Sequence, residues 1–259
     1  MVLGYGINPG GDVYLVYSLN ITGSGTLYAR IWDWYSLSNF VLGETKKVSV
    51  DDSNENAYYP VEFQDTIESS VRTDYTEYIE RAFNNVPALK TLYGKMRFSN
   101  YTTYNAYPSH DGSAGVTYPY FGVFAPVDIL SPYDDAADGY IKHAIIHELG
   151  HALDGAFYER TGTFLHDYSE FTTARSELLA IRNAQDDSTA NADRPLSEYA
   201  FSDDEGFEFL AEAFIAYYRD RYGAYYSTTL GYTTDSLNSA FRKYLCYAEN
   251  DYNMESDCE

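Results

Sequence analysis

Basic residues are few in this chain of 259: 17 lysines and arginines stand against 39 aspartates and glutamates, a formal charge of −22. That balance repels phosphate backbones and anionic lipid surfaces, so neither nucleic acid nor a membrane surface is expected as a partner. No stretch approaches the roughly 18 consecutive apolar residues of a membrane-spanning helix. The N-terminus lacks a basic region followed by an apolar core, so the chain reads either as cytosolic or as a mature form whose signal has been removed. Only two cysteines occur, Cys246 and Cys258, with no histidine cluster beside them. A cysteine-based metal knuckle is thereby excluded, and a disulfide stapling the tail is the reading that remains. The sequons Asn20-Ile21-Thr22 and Asn100-Tyr101-Thr102 point with it to a secreted, oxidising setting.

Histidine is also sparse, at five, yet His143, His147 and His151 fall within one short segment. There the sequence reads His147-Glu148-Leu149-Gly150-His151, a His-Glu-x-x-His string. On an α-helix the two histidines project from one face about 5.4 Å apart, close enough to share one metal ion. Glu148 stands beside them, placed to act on water at such an ion. Ile145, Ile146, Leu149, Ala152 and Leu153 clothe the rest of the helix, which should therefore be buried with its polar face turned to a cleft.

Around this segment the pattern is mixed. Residues 1–58 alternate in the manner of strands, at 12–17, 26–34 and 47–50, and read as a small antiparallel meander and possible accessory module. Trp32 and Trp34 share one strand face, a position of packing more often than of ligand binding. A polar connector covers 51–56, and residues 59–259 read as the second, larger domain. Helical spacing runs from Asp65 to about Asn85 and is stopped by Pro87, with a short helix to Tyr93 and a strand at 95–98. The segment Tyr118–Leu130 reads as a strand or pair broken at Pro126, and the proline argues for a sheet edge, where an extended peptide could add itself. Asp134, Asp135 and Asp138 are placed to cap the metal helix. Further helices are expected near 168–183, 203–222 and 237–247.

A catalytic zinc takes three protein ligands and leaves one position for water. His143 lies eight residues, about 12 Å of rise, from His151, too far for one ion to bridge. It is expected as a flanking histidine that could hydrogen-bond near the site. The metzincin pattern would need glycine at 154 and histidine at 157, where the chain has Asp154 and Phe157. Asp167 has the wrong spacing for an aspartate-ligand zincin. Glu205, Glu208 and Glu212 share one helical face, and Glu205 is explained by a capping box with Ser202. Spacing alone leaves Glu208 and Glu212 open.

The segments His147-Glu148-Leu149-Gly150-His151-Ala152-Leu153-Asp154, Ser197-Glu198-Tyr199 and Glu208-Phe209-Leu210-Ala211-Glu212-Ala213-Phe214 resemble the catalytic domain of anthrax lethal factor and its relatives. Among those relatives are the clostridial Pro-Pro endopeptidases. The likeness spans roughly residues 64–222, with specific motifs only in those three segments. It implies an α+β, zincin-like metallopeptidase fold in which Glu208 is the third zinc ligand and Glu212 holds a ligand histidine in its tautomer. It also implies a catalytic tyrosine, matched by Tyr199, which stands nine residues before Glu208 where the family has seven.

The resulting expectation is a monomeric zinc endopeptidase. Glu148 would be its general base, Tyr199 its oxyanion donor, and a peptide or protein, basic or proline-containing, its substrate. The alternative is a zincin-fold binding module without activity, against which the intact Glu148 argues.

Overall fold

The computed structural model describes residues 2–7, 13–17, 25–36, 39–50, 61–63, 67–98, 115–117, 119–125, 127–129, 138–186, 189–190, 193–223 and 231–258. The connector at 51–56, both sequons, Pro126, Asp134 and Asp135 lie outside the described residues, as do the side chains of Trp32, Trp34 and Asp138. The chain divides into two compact units, residues 1–8 with 13–57, and residues 9–12 with 58–259.

The first unit is all strand where it is described. β1 (Val2–Ile7) pairs antiparallel with β2 (Val13–Tyr17), and β3 (Gly25–Ser36) pairs antiparallel with β4 (Asn39–Val50). These are two separate pairs rather than the single meander expected, since no ladder joins β2 to β3 among the described residues.

The second unit is mostly helical. Its sheet holds four short strands, β5 (Val61–Phe63), β6 (Met96–Phe98), β7 (Gly115–Thr117) and β8 (Val127–Ile129), in the order β5-β6-β8-β7. The first three neighbours run parallel, and β7 closes the sheet antiparallel to β8. β8 is therefore interior, contrary to the edge position expected from Pro126. Its three residues are all buried, and the Asp128 carboxylate among them is held by Arg97 at 2.6 and 2.7 Å. Among the described residues the edges are β5 and β7, and β7 is a segment too short and polar to stand out in the sequence. Residues 119–124, expected as strand, form 3-10 turns broken at Gly122.

Among the described residues five α-helices complete the unit: α1 (Ser69–Asn85), α2 (Asp138–Thr161), α3 (Ser169–Asn183), α4 (Phe207–Tyr222) and α5 (Asp235–Glu249). α1 buries one stripe, Tyr75, Tyr78, Ile79, Ala82 and Phe83, as an amphipathic surface helix should. α2 is different, because every residue from Ala144 to Phe157 is buried. α4 is likewise buried without interruption from Phe209 to Tyr218. Helices buried on every side belong in the interior, and these two lie against each other. α5 closes the far side, with Phe241 and Tyr244 packed on Phe171 at 5.0 and 5.4 Å between ring centres. The Cys246–Cys258 disulfide ties the tail back onto α5.

The approach of the two central helices depends on small residues. A Cβ on Gly150 would stand 3.1 Å from the Cα of Ala211, so α4 sits almost backbone-to-backbone on the His-Glu-x-x-His turn. Farther along α2, a Cβ on Gly155 would fall 2.0 Å from the carbonyl oxygen of Pro119. Gly139, in the first turn of α2, has nothing within 4 Å of that position. Two substitutions of one chemical type should thus have opposite signs. Gly155→Ala should destabilise by about 1–3 kcal/mol through overpacking, and Gly139→Ala should stabilise by about 0.5–1 kcal/mol through helix propensity. Thermal melts of the two variants against the parent protein check the pair; equal shifts would contradict the close approach at Gly155.

Candidate metal centre

α2 presents His147 and His151 one turn apart, and α4 presents Glu208 and Glu212 one turn apart. Crossing at Gly150 and Ala211 brings the two pairs together. The atoms His147 Nε2, His151 Nε2 and Glu208 Oε2 form a triangle with sides of 3.1, 3.0 and 3.6 Å. His147 and His151 are buried and Glu208 is half-buried, and the three form a group that could hold a metal ion. The Glu208 Oε2 atom is buried and has no hydrogen-bond partner, although His147 Nε2 and His151 Nε2 face it at 3.0 and 3.6 Å. A carboxylate oxygen buried without a well-aligned donor is costly. A cation among the three donors would remove that cost, so the residues present fit a bound ion.

Glu212 stands behind the triangle. Its Oε1 accepts from His147 Nδ1 and from His143 Nε2, both at 3.0 Å, and its Oε2 accepts from the Ser197 hydroxyl at 2.5 Å. His143 is thus brought to the site as a partner of Glu212, away from the His151 side. Glu148 is buried and lines the cleft, packed against Gly115 of β7, and its Oε2 has no hydrogen-bond partner. Tyr199 sits in a 3-10 turn, its ring centre 5.7 Å from that of His147, and is 54 % exposed toward the cleft. Asp167 is not brought in; its carboxylate lies 3.6 Å from His166 Nε2 and faces solvent.

Local structure before α4 sets the path of the chain between Tyr199 and Glu208. The helix begins at Phe207, not near 203, because Gly206 adopts a left-handed φ of 108° that breaks the helical path. Asp203, rather than Ser202, caps it: Asp203 Oδ2 accepts from the backbone N–H of Gly206, Phe207 and Glu208 at 3.1, 2.8 and 3.4 Å. The capping box expected at Ser202 and Glu205 does not form, and Glu205 lies before the helix, exposed on the cleft wall. Arg175 of α3 braces this loop by donating to the carbonyl oxygens of Asp203 and Asp204.

A second buried pair secures the other side. Asp154, on α2 and fully buried, accepts from His166 Nδ1 at 2.7 Å and from its backbone N–H at 3.1 Å. The His166 ring then packs on Phe207 at 4.4 Å, so α2, the 162–168 loop and the start of α4 are locked together. The sequence did show Asp154 at the end of the metal-helix segment. Its partner carried no signal, since a lone histidine in a loop has no periodicity to mark it.

The cleft in front of these groups has a volume of about 380 Å³. It is lined by β7 and Tyr120, by α2, and by Tyr199, Asp203, Glu205 and Phe207. No family model, curated protein or solved structure matches the chain.

The electrostatics are those of an excess of carboxylate. Burial alone would lower the pKa of His147, but the Glu208 and Glu212 carboxylates on either side and the Glu148 charge outweigh it and push it up to about 10. Burial would raise Glu208, and the facing His147 and His151 hold it down at about 2 instead. Glu212 is likewise held well below the usual carboxylate range by His143 and His147, against its burial. Without an ion, a proton on His147 therefore balances this cluster at neutral pH. The sign follows: a raised histidine pKa adds stability that is fully present below about 6.5 and is lost as pH rises through about 10. An ion needs the neutral ring, so binding must displace that proton. Affinity for a divalent ion should rise about tenfold per pH unit between pH 6 and 8, with close to one proton released per ion, as calorimetry in buffers of different ionisation enthalpy would measure. A pH-independent affinity would mean that His147 is neutral before binding.

Proposed function

We propose that the protein is a zinc-dependent endopeptidase with a zincin-like fold, of the glutamate-ligand class. His147, His151 and Glu208 would hold the ion, and Glu148 would be the general base. The observation that carries this reading is the triangle of donor atoms beside a buried, unpartnered carboxylate oxygen of Glu148. Tetrahedral zinc with bonds of about 2.0–2.1 Å separates neighbouring donors by about 3.3 Å, against 3.0, 3.1 and 3.6 Å here. Two imidazoles and one carboxylate on the wall of a cleft suit a catalytic zinc, whose fourth position stays open. A structural zinc would draw on thiolates, and both cysteines are committed to a disulfide.

Zinc in that position supplies a Lewis acid that polarises a peptide carbonyl and acidifies water. Glu148 takes the proton from the attacking water and delivers it to the leaving amine. The Tyr199 hydroxyl donates to the oxyanion as charge develops. Burial and the neighbouring Glu208 charge hold the phenol pKa above its ordinary value, so it stays protonated and able to donate. The substrate is an extended peptide lying along the outer edge of β7, which no strand covers among the described residues. Glu205 on the cleft wall and the overall charge of −22 favour a basic peptide, and Tyr120 and Phe207 offer ring faces to proline. The disulfide suits the secreted setting.

The experiment is metal analysis together with cleavage of a peptide library. One zinc per chain is expected in the parent protein and in Glu148→Ala, and loss of it in Glu208→Ala. Glu148→Ala should lower hydrolysis by about 10² to 10⁴ or more while the fold persists; substantial turnover by that variant would sink the mechanism. Tyr199→Phe should lower kcat by about 10² to 10³ with little change in KM, since the contact is made only in the transition state. Parental kcat in steady-state kinetics would reduce Tyr199 to a packing role.

A further inference from the structure

Glu212 is only 1 % exposed, yet it takes no place among the three donors of the metal centre. A buried carboxylate must be matched by donors on both oxygens, and the three donors found here come from two parts of the chain, α2 and the loop before α4. His147 and His143 lie one turn apart on α2 and both reach Oε1 at 3.0 Å. Ser197, in the loop before α4, reaches Oε2 at 2.5 Å. The same Ser197 hydroxyl accepts the backbone N–H of Ala200 at 3.2 Å, within the turn that carries Tyr199. The preceding residue, Leu196, is buried with φ of 51°, and its N–H is tied to the carbonyl oxygen of Tyr232 at 3.1 Å. A non-glycine residue in that region is strained by about 1–3 kcal/mol and persists only where surrounding structure holds it. Ser197 is therefore presented to Glu212 from a fixed backbone.

We propose that His143 and Ser197 are positioning residues. Together they clamp the Glu212 carboxylate so that it fixes the ring orientation and tautomer of His147, and Ser197 also sets the turn bearing Tyr199. The proposal rests on the metal reading of His147, His151 and Glu208 but not on peptidase activity. With one partner, a carboxylate can rotate about its terminal torsion. With both oxygens engaged it cannot, and the His147 Nδ1–H is aimed, leaving Nε2 as the ligand atom. The atoms His143 Nε2, His147 Nδ1 and Glu212 Oε1 also lie close enough to be taken for a second ion site. That would require both nitrogens of His147 to be metallated, and it would remove the hydrogen bond that orients the ring.

The test is zinc affinity by chelator competition, and the zinc-dependent rise in melting temperature, for His143→Ala, His143→Gln, Ser197→Ala and Ser197→Thr. His143→Ala and Ser197→Ala should each bind zinc about 10- to 100-fold more weakly, with a smaller zinc-induced melting shift. His143→Gln, which keeps an N–H donor, and Ser197→Thr, which keeps the hydroxyl, should recover most of the affinity. A purely structural role would lower the melting temperature of the zinc-free and zinc-loaded forms equally and leave affinity untouched, and that result would overturn the proposal. Equal losses in His143→Ala and His143→Gln, or two zinc ions per chain in the parent protein, would overturn it as well. If one alanine variant does not fold, the other carries the test. A parent protein that binds zinc with these dependences but cleaves no peptide would refute the proposed function and leave this inference standing.

Discussion

The structure of the larger unit depends on one close crossing, that of α2 over α4 at Gly150 and Ala211. Interaxial distance between helices is set by the side chains at the contact, and here one of them is absent and the other is a methyl group. The crossing puts the first and second turns of α4 directly against the two middle turns of α2. Glu208 and Glu212 therefore meet His147, His151 and His143 at hydrogen-bond or ion-pair distance without any long side chain having to reach. Packing and site formation are the same event, because the apolar residues that bury both helices hold the donors in place.

That event gathers charge of one sign. Glu148, Glu208 and Glu212 surround the buried His147 imidazole, and in the ion-free protein a proton on that imidazole answers them. A site that raises a histidine so far above its ordinary value is one that attracts positive charge of any kind. Proton and metal ion are alternatives there, which is why the proposed zinc binding must depend on pH. The chain as a whole is acidic, but surface charge in water is screened over about 10 Å. Only the carboxylates enclosed with the histidines act on them strongly.

The chain leading into α4 is tied down from several elements. Asp154 with His166, Arg175 with the 203–204 backbone, and Ser197 with Glu212 are three ties of different chemistry. They converge on the ten residues from Ser197 to Gly206, the stretch in which Tyr199 must be carried to the cleft. Tyr199 itself remains more than half exposed. Its turn is fixed from behind by Ser197, and its ring is left free to meet whatever enters the cleft.

How much of this was legible in the sequence follows from what is local. The period of a helix, the spacing of His147 and His151 and the position of Glu148 beside them are set by chain geometry within two turns, and the observed α2 carries them as read. The mixed α+β character, the helices near 69–85, 169–183 and 235–249, and the pairing of Cys246 with Cys258 were legible for the same reason. Choosing Glu208 over Glu212 was not a local matter. Both lie on one face of α4, and which of them joins the two histidines is decided by where along its length α4 crosses α2. The edge of the sheet was likewise undecidable from Pro126, because an edge is a statement about neighbours, and β7 brings its own from a short polar segment with no period to read. His166 as partner of Asp154, Asp203 in place of Ser202 as the cap, and His143 and Ser197 on Glu212 join residues that are between 4 and 69 positions apart. The sequence by itself determined which residues could ligate and which helix would present them; the tertiary structure alone decided which carboxylate meets them, since contact between separate elements depends on packing that no single segment encodes.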